Sequence, residues 1–551
     1  MTIYTSHFPP VQQWSNLGVF DFLFTKNPNL KPNNVALIDA NTGEKTTYQQ
    51  LITTSLSYAS GLSTRANLKP GSVILLFSPN STLYPSLLFA GQAAGLTVST
   101  ANSSYTPSEL SHQIEVSGAE VLLVGSDLVD VAREAAKERG VKEDRIYVLP
   151  GVDGKVVVPA GLRSYTELND SVGGKSFKPV QLTEEETLTR VAYLPFSSGT
   201  TGKGKGVAIS AANITAVSQQ LNEVKGLFDG PEVVMGVLPL YHIYGLIVLL
   251  HQTLLNGGTV VLMPKFDLPQ FCSSVQSHKA TVALIVPPIA LGIAKHPIVD
   301  EYDLSSLRFM MSGAAPLSES LQKAVTERLG RKGGKTLMLQ GWGMTVGLLP
   351  DLHDYAPGTC GKLLTSMEAR LVDADGKDVK EGEAGELWVR GRNIMIGYHK
   401  NKKATDETIH KEGWLMTGDV CVRSKAGHFT IVDRTKELIK YKGFQVPPAE
   451  LEGVLLTCPL VADCAVIGVW SEAQATELPR AYVVPEAAHA KDQKLEEKII
   501  AFVQSKVAPH KRLRGGVVLI EVIPKSPSGK ILRKDLRAVA AKNDDKASAR
   551  L

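Results

Sequence analysis

Cysteine is scarce in this chain: Cys272, Cys360, Cys421, Cys458 and Cys464 are five in 551 residues, and no two of them form a C-x-x-C pair. An odd, scattered set argues against a disulfide framework and against a zinc site, and suits a reducing compartment. A dominant charge is lacking too, since 59 Lys and Arg stand against 55 Asp and Glu. No basic block interleaved with aromatics marks a nucleic-acid surface, so nucleic acid is not an expected partner. Long apolar runs are missing as well. The most apolar window, Tyr244 to Met263, is broken by His251, Gln252, Asn256 and glycines, and Thr281 to Ala294 is short and carries Pro287-Pro288. No membrane span is expected from such windows. The start, MTIYTSHF followed by Pro9, Pro10, Gln12 and Gln13, has neither the basic onset nor the apolar stretch of a secretory signal.

What is present is ordinary globular material, 43% hydrophobic and 21% charged, in a chain long enough for at least two domains of roughly 100–200 residues. From Val73 to Phe77 an apolar strand is expected, then a helix over about Ser81 to Ala94 and a strand over about Leu96 to Thr100, the alternation that makes parallel sheets. Thr106-Pro107-Ser108-Glu109 supplies a hydroxyl cap, a first-turn proline and a reciprocal Glu for a helix ending at Gly118, and AEVLLVG follows as a strand. LRFMMSGAAPLSESLQKAVTERLG repeats the rhythm, with Leu317, Leu321, Val325 and Leu329 expected on one helical face. After about residue 350, short strands and Gly-rich turns predict a small β-rich subdomain. The last hundred or so residues read as a compact α+β unit. Its expected strands run near Ala462 to Val469, Pro479 to Val484 and Val517 to Val522, with a helix over Leu495 to Val507. The fold class is therefore α/β. The expected division is a large domain over residues 1–433, a hinge at 434–436, a mobile α+β domain over 437–541, and a flexible tail over 542–551.

The segment with the most chemistry is LPFSSGTTGKGKG, from Leu194 to Gly206, which concentrates backbone N–H groups, hydroxyls and two lysines. Such a loop can wrap phosphates. It matches G-x-x-x-x-G-K from Gly199, yet Gly206 stands where a P-loop needs Ser or Thr for Mg²⁺, so a P-loop NTPase is disfavoured.

With PLYHIYGL at Pro239, PKF at Pro264, SGAAPL at Ser312, QGWGMT at Gln340, TGD at Thr417, DRTKELIKYKGFQV at Asp433 and PKSPSGKILRK at Pro524, the chain resembles the adenylate-forming superfamily of acyl-CoA synthetases, peptide-synthetase adenylation domains and luciferases. Its motifs are most similar to those of 4-coumarate:CoA ligase-like enzymes. The resemblance implies an AMP-forming acid–CoA ligase that uses ATP, Mg²⁺ and coenzyme A on an aryl-propenoic, benzoic or medium-chain acid. It further implies that Ser197, Ser198, Gly199, Thr200, Thr201 and Lys205 hold phosphates, and that Gln340, Gly341 and Thr345 contact adenine and the α-phosphate. By the same resemblance Asp419 and Arg434 bind ribose, and Lys530 bridges the carboxylate and the α-phosphate. His242, Ile243, Tyr244, Val248, Met311, Ala314, Gly341, Met344 and Leu348 would line the acid pocket, with His242, Lys205 and Lys530 as the catalytic set. Lys265, Lys440, Lys442, Gly443 and Phe444 would meet CoA, and Lys436 would be the hinge.

Two departures stand out. Val346 occupies the place of the family's metal-supporting Glu, so no protein metal ligand is expected, and Lys203-Gly204 replaces an apolar-Pro pair. Two readings therefore stay open beside the ligase: a homologue that binds nucleotide or acyl-adenylate without turnover, and an adenylating enzyme with an acceptor other than CoA. The closing Ala549-Arg550-Leu551 has the small-basic-leucine form of a peroxisomal address, so the import receptor is an expected partner and the peroxisome, otherwise the cytoplasm, the expected location.

Overall fold

A computed structural model describes residues 2–548 apart from 198–202, 229, 332, 344–346, 443, 472–473, 475 and 527–528, with side chains described to residue 540. The local signals between residues 73 and 125 translate directly. Strand Val73–Phe77 is followed by helix Leu83–Ala93 and strand Thr97–Thr100. Helix Pro107–Ser117 then opens on a reciprocal Thr106/Glu109 capping box and ends at Gly118 in the left-handed conformation. These strands pair in parallel with Val121–Gly125 and Ile146–Leu149 at the centre of a nine-stranded sheet. Parallel pairing buries both faces, which is why the strands are continuous runs of Val, Ile and Leu.

A second sheet has seven strands, six of them parallel, in the order Leu337–Gln340, Phe309–Ser312, Val282–Ile285, Val233–Gly236, Thr259–Leu262 and Val35–Asp39, with Lys45–Thr47 antiparallel at the edge. The apolar window that begins at Tyr244 is a wide-turned helix, Tyr244–His251, buried between this sheet and its neighbours. Among the described residues no helix is long and apolar enough to cross a membrane. The β-rich segment forms a five-stranded antiparallel sheet of Met367–Val372, Gly385–Gly391, Leu415–Arg423 and Phe429–Arg434, whose edge is completed by Tyr4–Thr5 from the far end of the chain.

The large apolar core reaches Phe429 and Ile431, and a separate core starts at Ile439. That second core lies between the strands Val461–Ser471, Thr476–Pro485 and Val517–Leu519 and the helices Pro448–Leu456 and Leu495–Gln504.

Three expectations need correction. The helix after Phe309–Ser312 starts at Glu319 with Ser318 as its cap, so Leu317 lies outside it, in the preceding turn. The last strand stops at Leu519 rather than Val522. The polar segment from 542 is helical as far as Ser548, because it continues helix Arg533–Ser548 with no proline or glycine to stop it.

Candidate active site

In open parallel sheets the strand order leaves a crevice at the carboxyl ends of the strands. Here Phe309–Ser312 and Leu337–Gln340 run side by side with Ser312 opposite Gln340. Beyond them the chain turns through Gly313-Ala314 and Gly341-Trp342-Gly343. Gly313 is required by close approach: a Cβ there would sit 2.9 Å from the ring of Tyr244. The ring packs over the turn, and its hydroxyl donates to the Met311 carbonyl at 2.9 Å. Ala314 holds φ at +69°, a strained choice for a residue with a Cβ. The Gln340 side-chain carbonyl accepts from the Leu317 N–H, which ties the two turns together.

These turns and the helix Tyr244–His251 enclose a cleft with about 500 Å³ of empty space, open at its mouth. His242, Ile243, Tyr244, Val248, Met311, Ala314 and Gly341 all line it, together with Ile247, Gly313, Trp342, Gly343 and Leu349. Leu349 reaches the cleft where Leu348 was expected, because successive side chains of the short strand Leu348–Leu349 point to opposite faces. Met344, Thr345 and Val346 lie outside the described residues.

Around the cleft mouth the polar groups converge from distant parts of the chain. Asp419, 4% exposed, accepts from the Arg434 Nε at 3.0 Å on one oxygen and from the Trp342 Nε1 at 2.8 Å on the other. Arg434 is placed by register, since it pairs with Asp419 across the antiparallel ladder. Lys530 arrives on a tight turn in which the Ser526 N–H donates to the Lys530 carbonyl at 2.8 Å and the Lys530 N–H donates to the Ser526 hydroxyl at 3.1 Å. Gly529, at φ +77°, lets this turn lie against the large domain: a Cβ there would meet Val286 at 2.9 Å. Burial, followed by the Arg434 guanidinium, pulls the Lys530 ammonium down to about 8, while Glu437 and Asp419 act in the opposite direction. Burial, aided by the charge of Lys530, lowers His242 to about 4, so its imidazole is neutral near pH 7. The Tyr244 N–H approaches the His242 Nδ1 at 3.4 Å, which leaves the ring proton on Nε2.

The two ends of the Gly-rich segment that follows Phe196 are held by a hairpin with Ser197 opposite Lys205, and Ser198, Gly199, Thr200 and Thr201 lie outside the described residues. Lys205 Nζ sits 4.7 Å over the Tyr398 ring, and His112 Nε2 bonds the Gly204 carbonyl at 2.9 Å. His112 was not singled out from sequence, because its partner is 92 residues away.

The C-terminal unit is tied to the large domain by Lys295, which bonds the Val461 carbonyl at 2.9 Å and Glu486 at 3.2 Å. Beside the exposed Lys436, Arg533 is buried between Glu437 at 3.0 Å and Glu452 at 2.7 Å, and the Ala449 N–H bonds Asp433 at 3.0 Å. Lys440, Lys442 and Phe444 stand on a separate hairpin, Ile439–Tyr441 with Phe444–Val446, where Phe444 stacks on His510 with ring centres 4.7 Å apart. Gly443 lies outside the described residues. Lys265 is exposed, and among the described residues it makes no hydrogen bond or ion pair with that hairpin.

Comparison with known proteins agrees with this architecture. Residues 24–399 match the model of the AMP-binding enzymes and residues 450–530 that of the AMP-binding enzyme C-terminal domain. A probable 4-coumarate–CoA ligase of Dictyostelium discoideum is 35% identical over 97% of both chains. A peroxisomal OPC-8:0-CoA ligase of Arabidopsis thaliana is 36% identical over 98% of this chain and 97% of its own. Among solved structures, a benzoate CoA ligase from Burkholderia xenovorans superposes with a TM-score of 0.81 at 25% identity, over 94% of this chain and 99% of that one. ATP-bound MatB from Rhodopseudomonas palustris superposes with 0.82 at 26% identity, over 95% and 98% of the two chains. Matched in both of its folded units and related along almost its whole length to acid–CoA ligases, the chain belongs to the AMP-binding enzyme family.

Proposed function

We propose that this chain is an AMP-forming acid–CoA ligase in which the apolar cleft takes the acid and Lys530 brings the carboxylate to ATP. The observation that carries the reading is the meeting of Lys530, Asp419, Arg434 and His242 at one cleft mouth, from four segments of the chain. A carboxylate is a poor electrophile. Its oxygen attacks the α-phosphorus of ATP, the bond to the β-phosphate breaks, pyrophosphate leaves, and the acid becomes an acyl-adenylate. The sulfur of CoA then attacks the acyl carbon and AMP departs. Both steps gather negative charge on oxygen, so fixed cations and N–H donors are the main requirement.

Lys530 neutralises the carboxylate and α-phosphate in the first step, and neutral His242 closes the pocket beside it. Asp419 already accepts one donor on each oxygen, and a carboxylate offers about four accepting sites, so two remain for ribose hydroxyls. Ser197 to Thr201 and Lys205 hold the outgoing phosphates, and Gln340, Gly341 and Thr345 lie along the adenine and α-phosphate. Lys436 is the hinge about which the C-terminal unit exchanges the Lys530 face for the Lys440, Lys442, Gly443 and Phe444 face, which meets CoA together with Lys265.

Magnesium fits this site as a companion of the nucleotide. Among the described residues no group of three or more His, Cys, Asp or Glu could hold a metal ion; a magnesium ion would enter with the phosphates of the nucleotide. The ion supplies charge neutralisation on those phosphates. Peroxisomal import rests on Ala549-Arg550-Leu551, which lie outside the described residues, and on the peroxisomal name of the Arabidopsis relative; a fluorescent fusion with and without the tripeptide tests it.

The test of the activity is acid-dependent ATP–pyrophosphate exchange over a panel of aryl and fatty acids at several Mg²⁺ levels, followed by addition of CoA. Exchange that turns into AMP and acyl-CoA supports the ligase. ATP binding without exchange for any acid favours the non-turnover binder that Val346 suggests, and exchange that CoA cannot discharge favours another acceptor.

A further inference from the structure

Among the described residues, the side chains that line the acid cleft have few free hydrogen-bond donors. Of its polar side chains, Trp342 gives its N–H to Asp419 at 2.8 Å and Tyr244 gives its hydroxyl proton to the Met311 carbonyl at 2.9 Å. The Gly341 N–H is bonded to the Ser312 carbonyl at 3.0 Å and the Gly313 N–H to the Ile285 carbonyl at 3.2 Å. His242 stands within the field of Lys530, at the carboxylate end of the cleft. Away from that end the described lining is Ile243, Ile247, Val248, Met311 and Leu349, faced by glycines and Ala314. Within that lining Gly341 packs closely on its neighbours: a Cβ on it would come within 3.2 Å of Leu349 and 3.4 Å of the Met311 sulfur. The tail of a bound acid therefore lies against a largely aliphatic lining in which, among the described residues, the side-chain donors Tyr244 and Trp342 are already committed.

We propose that the preferred acid carries an unsubstituted hydrocarbon tail, and that a hydroxyl at the far end of the tail is selected against by Ile247, Val248 and Leu349. The proposal rests on the ligase reading and narrows its substrate class: it favours a ring without hydroxyls or a plain medium chain over the hydroxylated acid in the names of the 4-coumarate ligases. The physical reason is desolvation. A hydroxyl carried into this cleft loses its bonds to water, and among the described side chains away from the carboxylate end only the Tyr244 oxygen, already committed as a donor, offers an acceptor in return. An aliphatic pocket rejects an added hydroxyl by only about 10–100-fold, which sets the size of the effect to look for.

The experiment measures kcat/KM for ATP–pyrophosphate exchange on the full chain with two matched pairs, cinnamate against 4-hydroxycinnamate and octanoate against 8-hydroxyoctanoate, alongside benzoate and dicarboxylates. The expected result is a preference of about 10–100-fold for the unsubstituted member of each active pair. The more active pair identifies an aryl or an aliphatic source of the tail. Val248→Thr, which adds a hydroxyl at nearly constant volume, should narrow the ratio, and Tyr244→Phe should leave the ratio in favour of the unsubstituted acid. Equal or better use of the hydroxylated member overturns the proposal, as does exchange confined to benzoate or dicarboxylates; in both cases the ligase reading survives. Absence of exchange with every acid, with ATP binding intact, overturns the ligase reading and the proposal with it.

Discussion

On the proposed ligase reading, replacing Lys530 with Met should separate the two half-reactions. In this structure the ammonium is pulled down to about 8 from the ordinary lysine value, because it is buried and faces Arg434. Holding it charged there costs roughly 3 kcal/mol before any anion arrives, and in the proposed reaction the bound carboxylate and α-phosphate would offset that cost. Without the ammonium these two anions approach each other unscreened. Losing one preorganised charge-stabilising group costs about 10²–10³ in kcat. ATP–pyrophosphate exchange should fall by that factor in Lys530→Met, while thioester formation from supplied acyl-adenylate and CoA should stay within about threefold of wild type, because the step that needs the bridge has been bypassed. The pH dependence has a defined sign. A lysine with a lowered pKa is charged below about pH 8 and neutral above it, so kcat/KM for adenylation should fall as pH rises through about 8. The kcat limb should lie at higher pH, since bound anions favour the charged form. Lys530→Arg keeps its charge through this range and should lack the alkaline limb. Unchanged exchange in Lys530→Met, equal losses in both half-reactions, or the same limb in Lys530→Arg would refute the reasoning.

Trp342→Phe keeps an aromatic wall in the cleft but removes the N–H that holds Asp419. A hydrogen bond to a charged group contributes about 1.5–3 kcal/mol, so KM for ATP should rise roughly tenfold or more while KM for the acid moves less; steady-state titration of each substrate reads the split. Arg533→Met leaves Asp433, Glu437 and Glu452 without their cation and should destabilise the C-terminal unit by about 3–5 kcal/mol, seen as earlier thermal unfolding and proteolysis. Burial already raises the pKa of Asp433 and Glu452, so the folded state holds protons more tightly than the unfolded chain and the deficit of this variant should shrink as pH falls towards those carboxyls. Val346→Glu places a carboxylate where the motif resemblance implies a metal-supporting Glu, and should lower the Mg²⁺ concentration for half-maximal exchange; an unchanged or higher requirement counts against that account.

Local chemistry was readable from the chain alone because its signals act over three or four residues. The Thr106/Glu109 box, the Gly118 stop, the Val73–Phe77 strand and the paired motifs of the C-terminal unit needed only neighbours to take effect. The ordered motifs also named the residues that meet at the cleft. How they meet was decided by the tertiary structure. Trp342 reaches Asp419 across 77 residues, and its indole serves both the cleft wall and the Asp419 carboxylate. Which leucine of Leu348–Leu349 faces the cleft depends on strand register, and the N-terminal strand Tyr4–Thr5 finds its place only once Met367–Val372 offers an edge. The lowered titration of Lys530 and His242 is likewise absent from the sequence, because it comes from burial and from charges brought together by the docking of two separately built cores. Residue type fixes what a side chain can do; the solvent and charge around it, which set whether it does so, exist only in the assembled fold.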